Sequence, residues 1–211
     1  MKTAGKTVFS WVFPAGEASK NIDNAMKLCA YAAELKLGRN ALFAALGGGV
    51  TGDLAGFAAA TFLRGIDYVQ IPTTLLAAVD SSVGGKTAVD IPSGKNLVGA
   101  FKQPLRVICD IDTFETLPDV VFHDGCAECI KYGVLQSPRL LEIFSKGTEA
   151  VKENIAEVVA ESVRIKADYV ANDEFDTGIR RYLNLGHTIG HAVEKPGNFE
   201  RFSHGESVGI G

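Results

Sequence analysis

The stretch ALGGGVTGDLAGFAAATF, residues 45–62, decides the fold class. It joins the short apolar run ALFAAL to small residues at helical spacing through Gly47, Gly48 and Gly49. Glycines between a strand and a helix let backbone N–H groups approach a phosphate at the helix N-terminus. The spacing to Gly52 differs from the usual G-x-G-x-x-G dinucleotide fingerprint, so a tight turn with close helix–strand packing is an equal alternative.

The segments around this stretch alternate between strand and helix patterns. Near-continuous apolar character predicts buried strands at DYVQIP (residues 67–72) and RVICDID (residues 106–112), and KTVFSWVF (residues 6–13) also has a strand pattern. The segment NIDNAMKLCAYAAELKLG, residues 21–38, predicts a helix that ends near Gly38. Its apolar face comprises Ile22, Ala25, Met26, Cys29 and Ala33. This alternation predicts a parallel α/β sheet.

The pattern changes after Pro118, where helical periodicity replaces the alternation of strands and helices. The helical segments are GCAECIKYGVL (residues 125–135), PRLLEIFSKG (138–147), AEVVAESVRIKADYVAND (156–173) and HTIGHAVE (187–194). We therefore predict an α/β domain over residues 1–120 and a mostly helical domain over residues 121–211. A cleft between two such domains is a natural site for a small molecule.

The composition is that of a globular protein with a hydrophobic core. Of the 211 residues, 46% are hydrophobic and 22% are charged, which argues against disorder. A net charge of −4 gives no overall attraction to nucleic acid. No apolar run reaches the ~18 residues of a membrane span, and the N-terminus has no signal-peptide pattern, so we expect a cytoplasmic protein. Four cysteines are too few for a disulfide scaffold.

Two further segments place lysines next to glycines. SSVGGKTAV (residues 81–89) and PSGKNLVGAF (residues 92–101) predict glycine-rich loops that carry Lys86 and Lys95. Neither segment fits the Walker pattern. A lysine in an open backbone suits phosphate recognition as a mobile point charge. Solvated turns are the alternative, and two such loops close together favour an anion site.

Three of the four histidines lie close together near the C-terminus, at His187, His191 and His204. His187 and His191 have the i, i+4 spacing that places two side chains on one helix face. Two histidines at this spacing are typical of a metal site, although the glutamate of the H-E-x-x-H metalloprotease motif is missing. A further ligand is then a carboxylate from elsewhere in the chain.

The segment DGCAECIKYG, residues 124–133, contains a Cys-x-x-Cys pair. On a helix, Cys126 and Cys129 lie on one side, and Glu128 and Lys131 lie together on roughly the opposite side. The cysteines are therefore expected to pack as small hydrophobic residues, with a redox dithiol as the alternative. For Glu128 and Lys131, an exposed ion pair is the alternative to a functional role.

Four segments have a combined pattern: the run over residues 45–101, and after it GCAECIKYG, LNLGHTIGHAVE and SHGESVGIG. Together they closely resemble the 3-dehydroquinate synthase family of sugar phosphate cyclases. The resemblance extends from PAGEASK, residues 14–20, to the end of the chain. It implies a carbon–oxygen lyase of the shikimate pathway, which serves aromatic amino acid biosynthesis. It also implies a Rossmann-like NAD-binding domain followed by a mostly α-helical domain that binds the substrate and one divalent metal, zinc or cobalt.

The reaction that the resemblance implies converts 3-deoxy-D-arabino-heptulosonate 7-phosphate to 3-dehydroquinate and phosphate. It consists of transient oxidation by NAD, phosphate elimination, re-reduction and intramolecular aldol closure. The implied partners are this sugar phosphate and a second copy of the chain in a homodimer. Neither nucleic acid nor a membrane is implied.

The resemblance also implies a set of site residues. The metal ligands are Glu128, His187 and His204, while His191 serves the substrate and proton transfer instead of the metal. Substrate contacts fall on Lys86, Asn96, Lys131, Lys166, Arg180, Asn184 and His191, with Arg64 reaching the substrate phosphate from a neighbouring subunit. NAD contacts fall on Glu17, Lys20, Gly49, Gly52, Asp53, Thr73, Thr74, Asp80, Lys86, Lys95, Thr113 and Thr116.

Members of this family extend further at both ends. We therefore expect both domains to be truncated, without the first strands, the acidic residue on the adenosine ribose and the closing helices. We expect the chain alone to be poorly active, since losing supporting contacts commonly weakens a metal site about 10–100-fold. The Pro-Gly pair in EKPGNF, residues 194–199, is expected to end its helix early.

Three other functions compete with this interpretation. The first is a cyclase for another sugar phosphate, such as 2-deoxy-scyllo-inosose or epi-valiolone synthase, which the substrate-facing residues disfavour. The second is a metal-dependent alcohol or glycerol dehydrogenase, which would accumulate NADH. The third is a binding module that holds NAD or metal without turnover.

Overall fold

The computed structural model describes residues 5–194 and 203–211, in which an α/β part is followed by a helical part. The strands of these residues are β1 Leu42–Gly47, β2 Asp67–Pro72, β3 Lys86–Ile91, β4 Gly94–Phe101 and β5 Arg106–Val107. The α-helices are α1 Ile22–Glu34, α2 Gly49–Thr61, α3 Asp119–Gln136, α4 Pro138–Ser145, α5 Thr148–Glu153, α6 Ile155–Asn172, α7 His187–Glu194 and α8 His204–Ile210. Short 3-10 turns lie at Glu17–Ser19, Phe62–Arg64, Ile111–Thr116 and Ile179–Asn184, and Ala77–Ser81 is π-helical. The predicted order, an α/β segment followed by helices, is confirmed.

The parallel sheet has the strand order β1-β2-β5. β1 pairs with β2 along its whole length, and α2 forms the crossover that a parallel connection requires. The strand predicted at DYVQIP is confirmed. RVICDID forms a strand only at Arg106–Val107, because Asp110 caps the 3-10 turn that follows.

The strand predicted at KTVFSWVF is wrong, since residues 6–13 form no strand in the described structure. The hydrophobic side chains of this segment are used in packing instead. Trp11 and Phe13, two residues apart, pack against a cluster that includes Leu54 and Phe57 of α2. The period of two therefore directs Trp11 and Phe13 to this cluster, and the segment is not a member of the sheet.

β3 and β4 form an antiparallel hairpin outside the parallel sheet, where the sequence predicted two glycine-rich loops. Thr87 and Val89 are buried, while Lys86 is exposed at the start of β3. This alternation is typical of a strand with one buried face, and the glycines around it concealed the pattern. The loop prediction was therefore wrong, and Lys95 and Asn96 lie in β4 beside the hairpin turn.

Helix α1 is confirmed, but its buried face differs from the predicted one. Ala25 and Ala32 are fully buried, whereas Ile22 and Met26 are substantially exposed. α1 packs against α2, where Ala25 shares a cluster with Leu54 and Phe57, and Ala32 shares one with Ala58 and Ala59. Small residues of α1 therefore make the close contact. The larger Ile22 and Met26 lie at the margin of this contact, where their size does not prevent the approach of the helices.

Glycines on α2 let this helix lie directly on the sheet and on the hairpin. A Cβ atom added to Gly52 would lie 2.4 Å from Gln70 Oε1, and one added to Gly56 would lie 2.4 Å from Thr87 Cγ2. Gly47, just before the helix, has a φ angle of 155°, which favours glycine. Close helix–strand packing is thus sufficient to explain Gly52 without a ligand.

The helical part surrounds one hydrophobic cluster built mainly from α3, α4 and α6. The cluster also contains Leu75, Val79 and Phe114, which precede the predicted domain boundary at residue 120. The boundary therefore stays a prediction, since this core crosses it. None of the described helices is long and apolar enough to cross a membrane.

The packing of α2 leads to a prediction for stability. Gly56→Ala should lower the free energy of unfolding by about 1–3 kcal/mol, because the new methyl group overlaps Thr87 and Tyr68 in a closely packed region. Urea denaturation of both proteins measures this change. Gly38→Ala is the control, since a Cβ atom at Gly38 meets nothing within 4 Å. Equal losses in the two variants would contradict the packing argument.

Candidate active site

Three side chains from three helices bring metal-ligating atoms together. Glu128 lies in the middle of α3, while His187 and His204 are the first residues of α7 and α8. The Nε2 atoms of His187 and His204 lie 3.6 Å and 3.7 Å from Glu128 Oε1. The ligand atoms of all three residues lie within 4.8 Å of one another.

This donor set fits a divalent metal ion. Ligand atoms about 2.0–2.2 Å from zinc lie roughly 3.3–3.6 Å apart in a tetrahedral site, close to the separations from Glu128 Oε1. Glu128 is fully buried, and its Oε1 atom has no hydrogen-bond partner among the described residues. Two imidazoles and one carboxylate leave a fourth position open, as in catalytic zinc sites. A cation between the three side chains would satisfy the buried oxygen.

Local contacts orient the two histidines toward Glu128. The Nδ1 atom of His187 lies 3.2 Å from the carbonyl oxygen of Leu185, which directs Nε2 toward the carboxylate. Burial lowers the pKa of His187, which favours the neutral imidazole that binds metals. α8 begins with a capping box between Ser203 and Glu206, which fixes the backbone on both sides of His204.

The residue after His204 has to be small. Gly205 N donates a hydrogen bond of 2.8 Å to Asp124 Oδ1 on α3. A Cβ atom at Gly205 would lie 2.5 Å from the carbonyl oxygen of Asp124. The glycine in the SHGE segment therefore lets α8 approach α3 closely enough for His204 to face Glu128.

Lys131 satisfies the other oxygen of Glu128. The ammonium group donates to Glu128 Oε2, one helical turn away on α3, and both side chains are almost completely buried. The exposed ion pair considered for these residues is therefore wrong. Lys131 holds the carboxylate, and its contact with a substrate stays a prediction.

The two cysteines of this helix pack as hydrophobic residues. Cys129 is fully buried in the core cluster of the helical part, and Cys126 packs against the same cluster. Burial raises the pKa of Cys126 to about 12 and that of Cys129 further still. Both thiols are therefore protonated at neutral pH, which opposes metal ligation and redox chemistry.

A cleft of about 600 Å³ lies between the hairpin and the helical part. The polar residues that line it include Asp53, Asp80, Lys86, Asn96, Lys166 and Arg180. A volume of this size suits a small molecule. The structure thus brings together four of the residues predicted to contact a substrate, from β3, β4, α6 and the turn Ile179–Asn184.

Lys166 is held at the base of this cleft by Asp80. Its ammonium group donates to Asp80 Oδ1 at 2.8 Å and to the carbonyl oxygen of Asp80 at 2.5 Å. Burial lowers the pKa of Lys166, although Asp80 opposes this effect. Burial also opposes ionisation of Asp80, but Lys166 and Lys131 hold the pKa of Asp80 well below its usual range. The two residues thus form an ion pair, and both of them line the cleft.

Lys86 and Arg180 are held by the loop over residues 173–178. Lys86 Nζ lies 2.5 Å from Asp176 Oδ2. Arg180 Nη1 donates to the carbonyl oxygen of Glu174 at 2.6 Å, and Nη2 donates to that of Gly84 at 3.1 Å. These contacts fix two cations at the wall of the cleft without neutralising Arg180.

A second ionic group surrounds the buried Lys20 and includes Asp53, which lines the cleft. The ammonium group of Lys20 lies 2.7 Å from Glu17, 3.5 Å from Asp53 and 4.0 Å from Asp90. Burial raises the pKa of Asp53 to about 6, although Lys20 opposes this rise. Lys95 lies 3.4 Å from Glu17. Four residues predicted to bind NAD are therefore close together.

The remaining predicted residues are more dispersed. Arg64 and Asn184 are exposed. Thr74, Thr113 and Thr116 make local hydrogen bonds within their own turns. Two glycines, Gly49 and Gly52, lie at the start of α2, and Thr73 follows β2.

Two predictions fall wholly or partly outside the described structure. His191 lies on α7, but its side chain is not described, so its predicted role stays a prediction. In EKPGNF, residues 195–199 lie outside the described residues. The early helix end predicted there is therefore untested.

Sequence reasoning missed two residues of this region. Tyr132 donates a 2.6 Å hydrogen bond to Asp80 Oδ1, and Asp176 holds Lys86. Tyr132 could have been suspected from its position one helical turn after Glu128. Nothing in the sequence around Asp176 distinguishes it from other loop carboxylates.

Comparison with known proteins gives two family matches. A model described as 3-dehydroquinate synthase N-terminal matches residues 10–124, and one described as 3-dehydroquinate synthase C-terminal matches residues 125–211. The 3-dehydroquinate synthase of Clostridium perfringens (strain SM101 / Type A) is 52% identical over 198 residues. This match covers 93% of the chain and 57% of the relative, so the chain spans somewhat more than half of that protein's length.

Two solved structures have similar folds. One is 2-deoxy-scyllo-inosose synthase complexed with carbaglucose-6-phosphate, NAD+ and Co2+, with 30% identity and a TM-score of 0.85 over 93% of this chain and 55% of that one. The other is 2-epi-5-epi-valiolone synthase from Streptomyces hygroscopicus subsp. jinggangensis 5008 with NAD+ and Zn2+ bound. It has 25% identity and a TM-score of 0.86 over 93% of this chain and 56% of that one.

The geometry around Glu128 predicts which residues control metal content. Glu128→Gln replaces a charged ligand oxygen with a neutral amide. Loss of a ligand's hydrogen-bond partner weakens metal binding roughly 10–100-fold, and this change to the ligand itself should weaken zinc binding by more. Metal content after dialysis measures this loss. The double change Cys126→Ala and Cys129→Ala is the control and should retain the metal. Metal loss in the cysteine variant with retention in Glu128→Gln would restore the Cys-x-x-Cys site.

The raised pKa of Asp53 predicts a pH-dependent stability difference. At pH values between the usual pKa of an aspartate and about 6, Asp53 is protonated in the folded protein and ionised in the unfolded chain. Asp53 therefore lowers the free energy of unfolding as pH rises through this window. Asp53→Asn removes this effect. The free energy of unfolding of the variant, relative to the original chain, should therefore increase by about 1–3 kcal/mol from pH 4 to pH 7. A difference that is constant with pH, in urea titrations, would contradict the assignment.

Proposed function

The chain belongs to the 3-dehydroquinate synthase family, and on that premise we propose that it converts 3-deoxy-D-arabino-heptulosonate 7-phosphate to 3-dehydroquinate and phosphate. The observation that carries the proposal is the convergence of Glu128, His187 and His204 on one point. The buried Oε1 atom of Glu128 faces two imidazoles and has no hydrogen bond among the described residues, so it is an acceptor that still needs a partner. It is suited to a divalent ion that acts as a Lewis acid.

The proposed cofactors are NAD and one zinc or cobalt ion. The two similar cyclase structures contain NAD+ with Co2+ or Zn2+, and the donor set here suits either metal. When bound, NAD would accept and return a hydride, and the metal would polarise the hydroxyl oxygen at the reacting carbon. Glu128 and the two histidines would hold the metal, and Lys131 keeps the carboxylate of Glu128 in place.

The cleft residues supply binding and orientation. Lys86, Lys166 and Arg180 present three cations, and Asn96 presents an amide, on the walls of one cavity. A heptulosonate phosphate carries a carboxylate and a phosphate, which such groups can hold through charge-assisted hydrogen bonds. Fixing both ends of the substrate places its ring atoms in a defined position and lowers the entropic cost of reaction. His191 and Asn184 are proposed to complete this set.

The NAD site is proposed to lie along the start of α2 and the ionic group around Lys20. Gly49 and Asp53 lie in the first turns of α2, where backbone N–H groups favour an anion such as pyrophosphate. The cluster of Glu17, Lys20 and Lys95 fixes charged groups beside it. Gly52, Thr73, Thr74, Asp80, Lys86, Thr113 and Thr116 are proposed as further contacts.

A homodimer is proposed because Arg64 is exposed at the end of a strained turn. Leu63 and Arg64 have φ angles of 51° and 67°, which non-glycine residues seldom adopt. Arg64 is not among the residues that line the cleft of its own chain, in keeping with a contact to the phosphate in a neighbouring subunit. The dimer itself is part of the proposal.

Phosphate release tests the proposed function. With NAD and zinc, the chain should release phosphate from 3-deoxy-D-arabino-heptulosonate 7-phosphate, and a chelator should abolish the release because the metal ligands are then unoccupied. Added zinc or cobalt should restore it. The relative from Clostridium perfringens serves as the positive control, and the Glu128→Gln variant serves as the negative one.

Other outcomes of the same assay identify the competing functions. Release from glucose 6-phosphate or sedoheptulose 7-phosphate, but not from the heptulosonate, would indicate another sugar phosphate cyclase. Net accumulation of NADH would indicate a dehydrogenase, since a cyclase returns its hydride. Binding of metal and NAD without phosphate release from any of the three substrates would reject the proposed activity and favour a binding module.

A further inference from the structure

Tyr132 lies between the metal-ligating group and the cleft, although neither site includes it. It follows Lys131 on α3 and is fully buried in the core of the helical part. Its hydroxyl group donates a hydrogen bond of 2.6 Å to Oδ1 of Asp80, which lies outside this hydrophobic cluster. A buried tyrosine hydroxyl needs a hydrogen-bond partner, and here that partner is a residue that lines the cleft.

The oxygen that Tyr132 contacts is the one that holds Lys166. Asp80 Oδ1 accepts from Tyr132 and from Lys166, at 2.6 Å and 2.8 Å. The Asp80 side chain is 29% exposed, whereas that of Lys166 is 8% exposed. Asp80 could therefore rotate into the open cleft if Lys166 alone restrained it. A donor fixed in the core removes that freedom.

Asp80 also lies in an unusual piece of backbone. It belongs to the π-helical segment Ala77–Ser81, whose first three residues are buried. Segments of this kind occur in short pieces and often at functional sites. The hydrogen bond from α3 therefore reaches a segment whose backbone is not set by a regular helix, and it fixes the direction in which the carboxylate points.

We propose that Tyr132 is a positioning residue that anchors the Asp80 carboxylate, so that Asp80 holds the Lys166 ammonium group toward the substrate's anionic groups in the cleft. This inference rests on the proposed function for the identity of the substrate. The chain of contacts runs from the hydroxyl of Tyr132 through Asp80 Oδ1 to Lys166 Nζ. Tyr132 itself touches neither substrate nor cofactor in this proposal.

Tyr132→Phe tests the proposal, because it keeps the aromatic ring in the core and removes only the donor. Its matched control is Tyr169→Phe. Tyr169 is buried in the same hydrophobic cluster, and its hydroxyl group has no hydrogen-bond partner among the described residues. Asp80→Asn serves as the reference for complete loss of the anchored charge. Thermal unfolding of each variant shows whether the fold is retained.

The kinetic measurement separates positioning from stability. Tyr132→Phe should raise KM for the heptulosonate phosphate about tenfold, the effect of one hydrogen bond to a charged group, with a smaller change in kcat. A loss of binding interactions made equally in ground and transition states appears in KM. Tyr169→Phe should change neither constant. Equal KM values in the two variants would overturn the proposal.

A second measurement does not require turnover. Competitive labelling of amines with isotope-coded acetic anhydride, followed by mass spectrometry, reports how fast Lys166 reacts. When Asp80 is no longer anchored, the buried Lys166 loses its counter-charge more often and is more often neutral. Because the neutral amine is the form that reacts, Lys166 should be labelled about three- to tenfold faster in the Tyr132→Phe variant. Asp80→Asn should behave similarly, and Tyr169→Phe should match the original chain. An unchanged labelling rate of Lys166 in Tyr132→Phe would reject the anchoring role. This result does not depend on phosphate release, so it can be distinguished from failure of the proposed function.

Discussion

The buried carboxylate of Glu128 is the constraint on which the helical part depends. A carboxylate removed from water is costly unless both oxygens have partners. Lys131 supplies one partner from the same helix, and His187 and His204 face the other oxygen from the first residues of α7 and α8. The positions of these two helices relative to α3 are therefore tied to one side chain, and a bound divalent ion would connect all three helices.

The same helix connects this group with the cleft. Glu128 and Lys131 occupy one side of α3, while Cys129 and Tyr132 enter the hydrophobic core. The hydroxyl group of Tyr132 donates a hydrogen bond to Asp80, which lines the cleft. The position of α3 in the core therefore determines where this donor lies. Changes in the packing of α3 would thus alter both sites together.

The sequence predicted the elements whose period was unambiguous and missed those whose partners lie far away in the chain. The helices α3 and α6 and the strand DYVQIP followed from local pattern alone. Residues 6–13 have the period of a strand but lie across helices, and the hairpin β3–β4 was hidden by its glycines. Helical spacing paired His187 with His191, whereas the resemblance indicated His204, which lies beside Glu128 through the close approach at Gly205. No local pattern contains that tertiary contact.

The charges of the cleft suggest how an anion would be recognised. Lys86 and Lys166 are each held by a carboxylate of the chain, and the net charge of the whole protein is −4. Long-range attraction for an anionic sugar is therefore weak, and the cleft offers oriented donors in place of excess positive charge. Lys86 is paired with Asp176, whose other oxygen is buried without a hydrogen-bond partner among the described residues, so an anion bound at Lys86 would compete with this carboxylate. In such a competition between two anions, geometry would contribute more to selectivity than net charge.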